Sequence, residues 1–106
     1  DPPHMYTVVL ITAPRKDAEK IARHLLERRV AACVNIADVK SLYWWEGKIE
    51  EDEEALLIVK TSTDKLNDLV KEVRAVHPYQ VPEVVALPIV GGYKEYLSWV
   101  ERETHA

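Results

Sequence analysis

Residues 6–13, Tyr6-Thr7-Val8-Val9-Leu10-Ile11-Thr12-Ala13, form a nearly unbroken apolar run rich in β-branched side chains. That is the pattern of a central strand covered on both faces. After Pro14 the apolar positions Ala18, Ile21, Ala22, Leu25 and Leu26 recur at helical spacing, with Lys16, Glu19, Lys20, Arg23, Glu27 and Arg28 between them. This predicts an amphipathic helix. Residues 30–35 and 39–45 read as one long strand with a bulge around Ala37 and Asp38, then a Glu46-Gly47 turn and a return strand over 48–61. The first half of the return strand is acidic, and its second half, 55–59, is continuously apolar. Ser62 or Thr63 is placed to cap a second helix whose stripe is Leu66, Leu69, Val70 and Val73. His77 continues that stripe and Pro78 ends it. Residues 83–89 predict a last strand, in which Pro88 argues for an edge or a strand end. Gly91-Gly92 then breaks the chain, and Tyr93, Tyr96, Leu97 and Val100 predict a short closing helix.

The order strand, helix, strand, strand, helix, strand plus a C-terminal helix predicts an α+β fold, the ferredoxin-like split βαβ sandwich. Residues 6–106 are expected to form one domain. Residues 1–5 are set aside as disordered or a cloning remnant, because Asp1-Pro2-Pro3-His4 precedes Met5 without periodicity. The return strand, about 14 residues at roughly 3.3 Å each, would extend some 45 Å. A compact chain of this length is only about 33 Å across, so the hairpin must overhang. Its tip carries Tyr43, Trp44 and Trp45, rings that each bury about 150–250 Å², worth up to roughly 4–6 kcal/mol. The expectation is that the hairpin packs on a neighbouring subunit and makes a homo-oligomer. Trp99 on the closing helix is a further candidate for that interface.

Composition narrows the function. At 106 residues with 47% hydrophobic content the chain can build a core without disulfides or a structural metal. Its net charge of −4, with no lysine and arginine cluster to offset it, argues against nucleic acid as a partner. The run Glu50-Glu51-Asp52-Glu53-Glu54 dominates the balance and reads as a solvated edge that resists aggregation, or as a cation attractor. The single cysteine, Cys33, excludes an intrachain disulfide and points to a reducing compartment, the cytoplasm. No apolar run approaches the roughly 18 residues of a membrane span, so a soluble protein with no membrane partner is expected.

The heptapeptide His77-Pro78-Tyr79-Gln80-Val81-Pro82-Glu83 sets an imidazole, a phenol and a carboxylate in a loop stiffened by two prolines. With Cys33, the candidates His77, Tyr79 and Glu83 span soft to hard metal-ligand chemistry. No pair has a diagnostic metal spacing. Each residue also has a plain structural use: Cys33 as a small strand hydrophobe, His77 packed and bonded to backbone, Glu83 accepting backbone N–H groups, Lys60 neutralising it. Nothing marks an oxyanion hole or a phosphate-cradling glycine loop, so no catalytic residue is assigned.

Taken together, Ile11-Thr12-Ala13-Pro14, Arg29-Val30-Ala31-Ala32-Cys33-Val34-Asn35, Tyr43-Trp44-Trp45-Glu46-Gly47-Lys48, Leu57-Ile58-Val59-Lys60-Thr61, the heptapeptide and Tyr96-Leu97-Ser98-Trp99 resemble the CutA divalent-cation tolerance proteins. The likeness runs from Val8 to about Glu103. It implies a ferredoxin-like homotrimer, similar to the PII signal-transduction proteins, whose long hairpins extend the neighbours' sheets. It implies binding of copper or another divalent cation without turnover. His77 is then the first metal candidate, with Cys33 and Glu83 beside it in an inter-subunit cleft lined by Tyr79, Lys60 and Trp45. Where some bacterial members have a cysteine in the first strand this chain has Ile11, and where they have a second histidine before the loop it has Val76. Two other functions stand beside this one. One is a PII-like sensor that binds a small anionic metabolite through Lys60, and the other is a trimeric anchor for a protein partner.

Overall fold

The computed structural model of the chain describes residues 4–106. Of the segment set aside at the N-terminus, residues 1–3 lie outside the described residues, and the Met5 carbonyl accepts a hydrogen bond from Thr63 N–H at 2.9 Å. The elements are β1 (Tyr6–Ala13), α1 (Arg15–Glu27), β2 (Cys33–Trp45), β3 (Lys48–Ser62), α2 (Leu66–Val76), β4 (Val84–Pro88) and α3 (Lys94–Thr104). They form one antiparallel sheet in the order β2-β3-β1-β4. This is the ferredoxin-like architecture with an added helix.

Alternation along β1 and β3 decides which face is closed. Val9, Ile11 and Ala13 of β1 and Leu57 and Val59 of β3 point one way, against Ile21 and Leu25 of α1 and Leu69 and Val73 of α2. The reverse face is covered at one end only. There α3 lies on it, with Tyr6 donating to Glu101 at 3.2 Å and Ser62 bonded to Thr104 at 2.7 Å. The expectation that β1 is buried on both faces is therefore corrected: every second residue is buried and the others are half-buried, because α3 spans only part of the reverse face.

Local expectations shift for identifiable reasons. Strand β2 starts at Cys33 rather than residue 30, since Val30 and Ala31 are buried in the connection and Ala32 N–H donates to the Lys60 carbonyl. No bulge forms at Ala37 and Asp38, which pair in register with Leu56 and Ala55. Asp38 stays in the ladder with its carboxylate 3.3 Å from Arg15. Ser62 does occupy a cap position, but its hydroxyl is committed to Thr104, and a 3-10 turn over Thr63–Lys65 leads into α2. His77 has left the helix for extended backbone, the geometry favoured before a proline.

The hairpin turn is the one expected. Glu46 and Gly47 both take positive φ, 50° and 80°, the pair that a two-residue type I′ turn needs. Beyond the body of the fold the hairpin becomes an arm, and the chain measures 43 Å along its long axis against 25 and 23 Å across. On that arm Leu42, Trp44 and Ile49 are 62%, 72% and 63% exposed.

Candidate functional site

The loop over residues 77–83 returns from α2 to the sheet beside the root of the arm. His77 is 9% exposed and is held by both ring nitrogens. Its Nε2–H donates to the Thr12 carbonyl at 2.7 Å, and its Nδ1 accepts from Tyr79 N–H at 3.1 Å. A carbonyl can only accept and a backbone amide can only donate, so these partners fix the tautomer. The Tyr79 ring lies 4.8 Å from the imidazole. Tyr79 in turn donates its phenol to Glu54 Oε2 at 2.7 Å. Burial, and then this bond, push the Tyr79 phenol well above its ordinary value.

Glu54 is 4% exposed and closes the acidic run. The run is not a uniform edge. Period-two alternation turns Glu50, Asp52 and Glu54 to one face, where the neighbouring strand and the loop bring phenols to Asp52 and Glu54. Tyr43 bonds Asp52, and this bond, then desolvation, raise its phenol to about 12. Glu53 turns the other way to Arg15, at 2.9 Å. Between arm and loop lies a groove of about 830 Å³ whose lining includes Thr12, Trp44, Trp45, Glu54, Tyr79 and Glu83.

The expected metal candidates do not come together within one chain. Glu83 is exposed at the loop's end, and His77 is buried at its start. Cys33 lies opposite Lys60 in the β2–β3 ladder, whereas Thr12, the partner of His77, lies opposite Leu56. Four residues along β3 separate the two levels, about 13 Å. Among the described residues no group of three His, Cys, Asp or Glu side chains is arranged to hold a metal ion. Cys33 belongs to a second small cluster. Its thiol faces Asn35 Oδ1 at 3.8 Å, Lys60 donates to the same oxygen, and the Tyr96 phenol is raised by burial and by a hydrogen bond with the Cys33 sulfur.

Tyr79, Trp45 and Glu83 therefore line the groove, while Lys60 and Cys33 sit elsewhere. Trp99 packs on Tyr96, with ring centroids 5.6 Å apart. Thr12, Arg15, Asn35 and Glu54 are not marked by sequence pattern as site residues. For Glu54 a signal exists: it is the acidic residue adjoining the apolar half of β3 and in phase with Asp52.

Among the described residues no helix is long and apolar enough to cross a membrane. Residues 7–103 match the model of the CutA1 divalent ion tolerance protein family. The chain is 48% identical over 98 residues to a divalent-cation tolerance protein CutA of Archaeoglobus fulgidus, covering 92% of this chain and 96% of that one. It is 51% identical over 102 residues to the corresponding Thermus thermophilus protein, covering 94% and 99%. A rice relative, 48% identical over 92% of this chain and 56% of its own length, is described as chloroplastic. Among solved structures, an Archaeoglobus fulgidus protein described as a periplasmic divalent cation tolerance protein superposes with a TM-score of 0.92 at 46% identity, over 94% of this chain and 99% of that one. A PII-like CutA of Nostoc does so at 0.89 and 35% identity, over 93% and 97%. The chain belongs to the CutA1 divalent ion tolerance family and has its PII-like fold.

Proposed function

We propose that the protein acts as a cytosolic homotrimer that takes up copper or another divalent cation at a cleft between subunits, without catalytic turnover. The observation that carries this reading is the half-built groove. One chain supplies a stiff loop, the carboxylates Glu54 and Glu83 and an aromatic-lined arm, yet among the described residues no three candidate donors converge within it. A neighbouring chain is the economical source of the missing donors, and it would also cover the exposed arm. Cys33 as a free thiol suits a reducing cytosol.

In this reading Glu83 and Cys33 are donors contributed from different subunits. His77 joins them by releasing the Tyr79 amide from Nδ1, since its Nε2 proton stays with Thr12. An anionic ligand is the poorer fit. The groove's charged lining is Glu54, Glu83 and one cation, Lys40, which lies 3.8 Å from Glu51, and Lys60 is bonded to Asn35 at another level of the sheet. A trimer that anchors another protein uses the arm but leaves the loop chemistry idle.

The test is a copper titration by calorimetry on the tag-free protein with His77→Ala, Glu83→Gln and Cys33→Ser. The expected result is wild-type binding tighter than about 1 mM, with each variant weaker by about tenfold or more. Equal binding by wild type and variants, or none tighter than about 1 mM, removes the site. A thermal-shift screen separates the anionic alternative, because any binder of the native state raises Tm.

A further inference from the structure

At Glu54 the strand passes from body to arm: Ala55 beside it is buried and Glu53 is exposed. A carboxylate buried at such a junction is costly unless bonded. Glu54 is gripped from both sides of the sheet. On one side its backbone carbonyl accepts from Arg15 Nε at 3.3 Å, and the same guanidinium pairs with Asp38 of β2 and Glu53 of β3, tying both strands of the arm. On the other side its carboxylate accepts the Tyr79 phenol. Tyr79 holds His77 through backbone and ring, and His77 holds Thr12.

The contacts are thus continuous from the arm root to the loop. Pro78 and Pro82 leave residues 77–83 little freedom to deform locally, so a displacement of Tyr79 is passed on toward Glu83. We propose that Glu54 is a positioning residue that couples the arm to the loop, so that docking another copy of this chain on the arm sets the geometry of the cation groove. This regulatory step rests on the trimeric cation-binding reading above. The coupling itself is a property of the protein without metal.

Amide hydrogen exchange on the metal-free native assembly tests it, with Tyr79→Phe, Glu54→Ala and Glu54→Gln. Light scattering on each variant checks that the assembly is retained. Tyr79→Phe removes one oxygen and leaves a buried carboxylate without its donor. The expected result is exchange faster by about tenfold in both the loop, 79–83, and the arm strand, 48–54. Glu54→Ala does the same, and Glu54→Gln, whose amide oxygen still accepts the phenol, restores most of the protection. A contact that merely holds its own two ends loosens Tyr79 and Glu54 alone and leaves Glu83 and residues 48–50 unchanged. Acceleration confined to the loop, or confined to the arm, overturns the coupling. Copper titration of the same variants reads the other half: Tyr79→Phe weakens binding severalfold with Glu83 intact. A wild type that binds no copper removes the cation reading, while the exchange data still decide the coupling.

Discussion

The two halves of β3 share one register against β2 and have opposite fates. Residues 55–62 alternate between a sealed face and a half-covered one, with Leu57 and Val59 in the core. Residues 48–53 continue the same pairing against β2, yet Ile49 opposite Trp44 stands in water. The register against β2 is unbroken across the junction, but β1 pairs with residues 55–62 only, so the outer half is hydrogen-bonded along one edge and the inner half along both. Cover differs as well. The inner half is covered by helices of its own chain, and the outer half is a two-stranded ribbon, marginal by itself, that no helix covers among the described residues.

Truncating one side chain in each half separates them most widely. Leu57→Ala is expected to lower unfolding stability by about 2–5 kcal/mol, read by chemical denaturation. Trp44→Ala is expected to leave unfolding of the isolated chain within about 0.5 kcal/mol and to act on association instead, read by light scattering on dilution. Equal losses of chain stability from both variants would erase the distinction.

The junction comes next. Tyr79→Phe strips the donor from buried Glu54 and is expected to cost about 1–3 kcal/mol. Its pH dependence carries a sign. The phenols of Tyr79 and Tyr43 are raised from the ordinary 10.0, Tyr43 to about 12. A raised folded-state value means that the contribution is whole below pH 10.0 and is lost as pH climbs through the folded value. Wild-type stability therefore falls more steeply above that pH than the stability of a Tyr43→Phe, Tyr79→Phe double variant, as denaturation at stepped pH would reveal.

The smallest effect belongs to the end of α3, which covers only the inner half. His105 donates from Nε2 to Asp64 at 2.9 Å and from Nδ1 to the Glu101 carbonyl at 2.8 Å, and these bonds raise it above its ordinary 6.5. Two donors require the imidazolium, so the contribution is whole below pH 6.5 and fades as pH rises through the folded value. At this exposed site His105→Ala is expected to cost under about 1 kcal/mol. Exchange in the arm, measured on the same variant, stays unchanged if the halves are independent.

The contrast between the halves can be read in the sequence because it is a contrast of pattern. Continuous apolar residues at 55–59 beside an acidic run announce a strand that leaves the core, and Glu46-Gly47 announces where it turns. The bulge expected at Ala37 and Asp38 is absent, and a strand pattern cannot show Arg15 arriving from another element. The same blindness hides Glu54. It is the last of a run of acids that reads as solvated, and only tertiary folding brings Tyr79 to it. His77 stands out in the sequence as an imidazole between an apolar stripe and a proline, but its bond to Thr12 reaches 65 residues back, and no spacing rule reports it.

Whether another copy covers the arm is decided by the mass of the tag-free protein in solution at micromolar concentration, measured by light scattering or sedimentation. The expected value is three times the 12.2 kDa of one chain, falling toward one chain in Trp44→Ala. A wild type that stays at 12.2 kDa would leave the arm uncovered and the groove half-built, and would contradict the trimer on which the cation site depends.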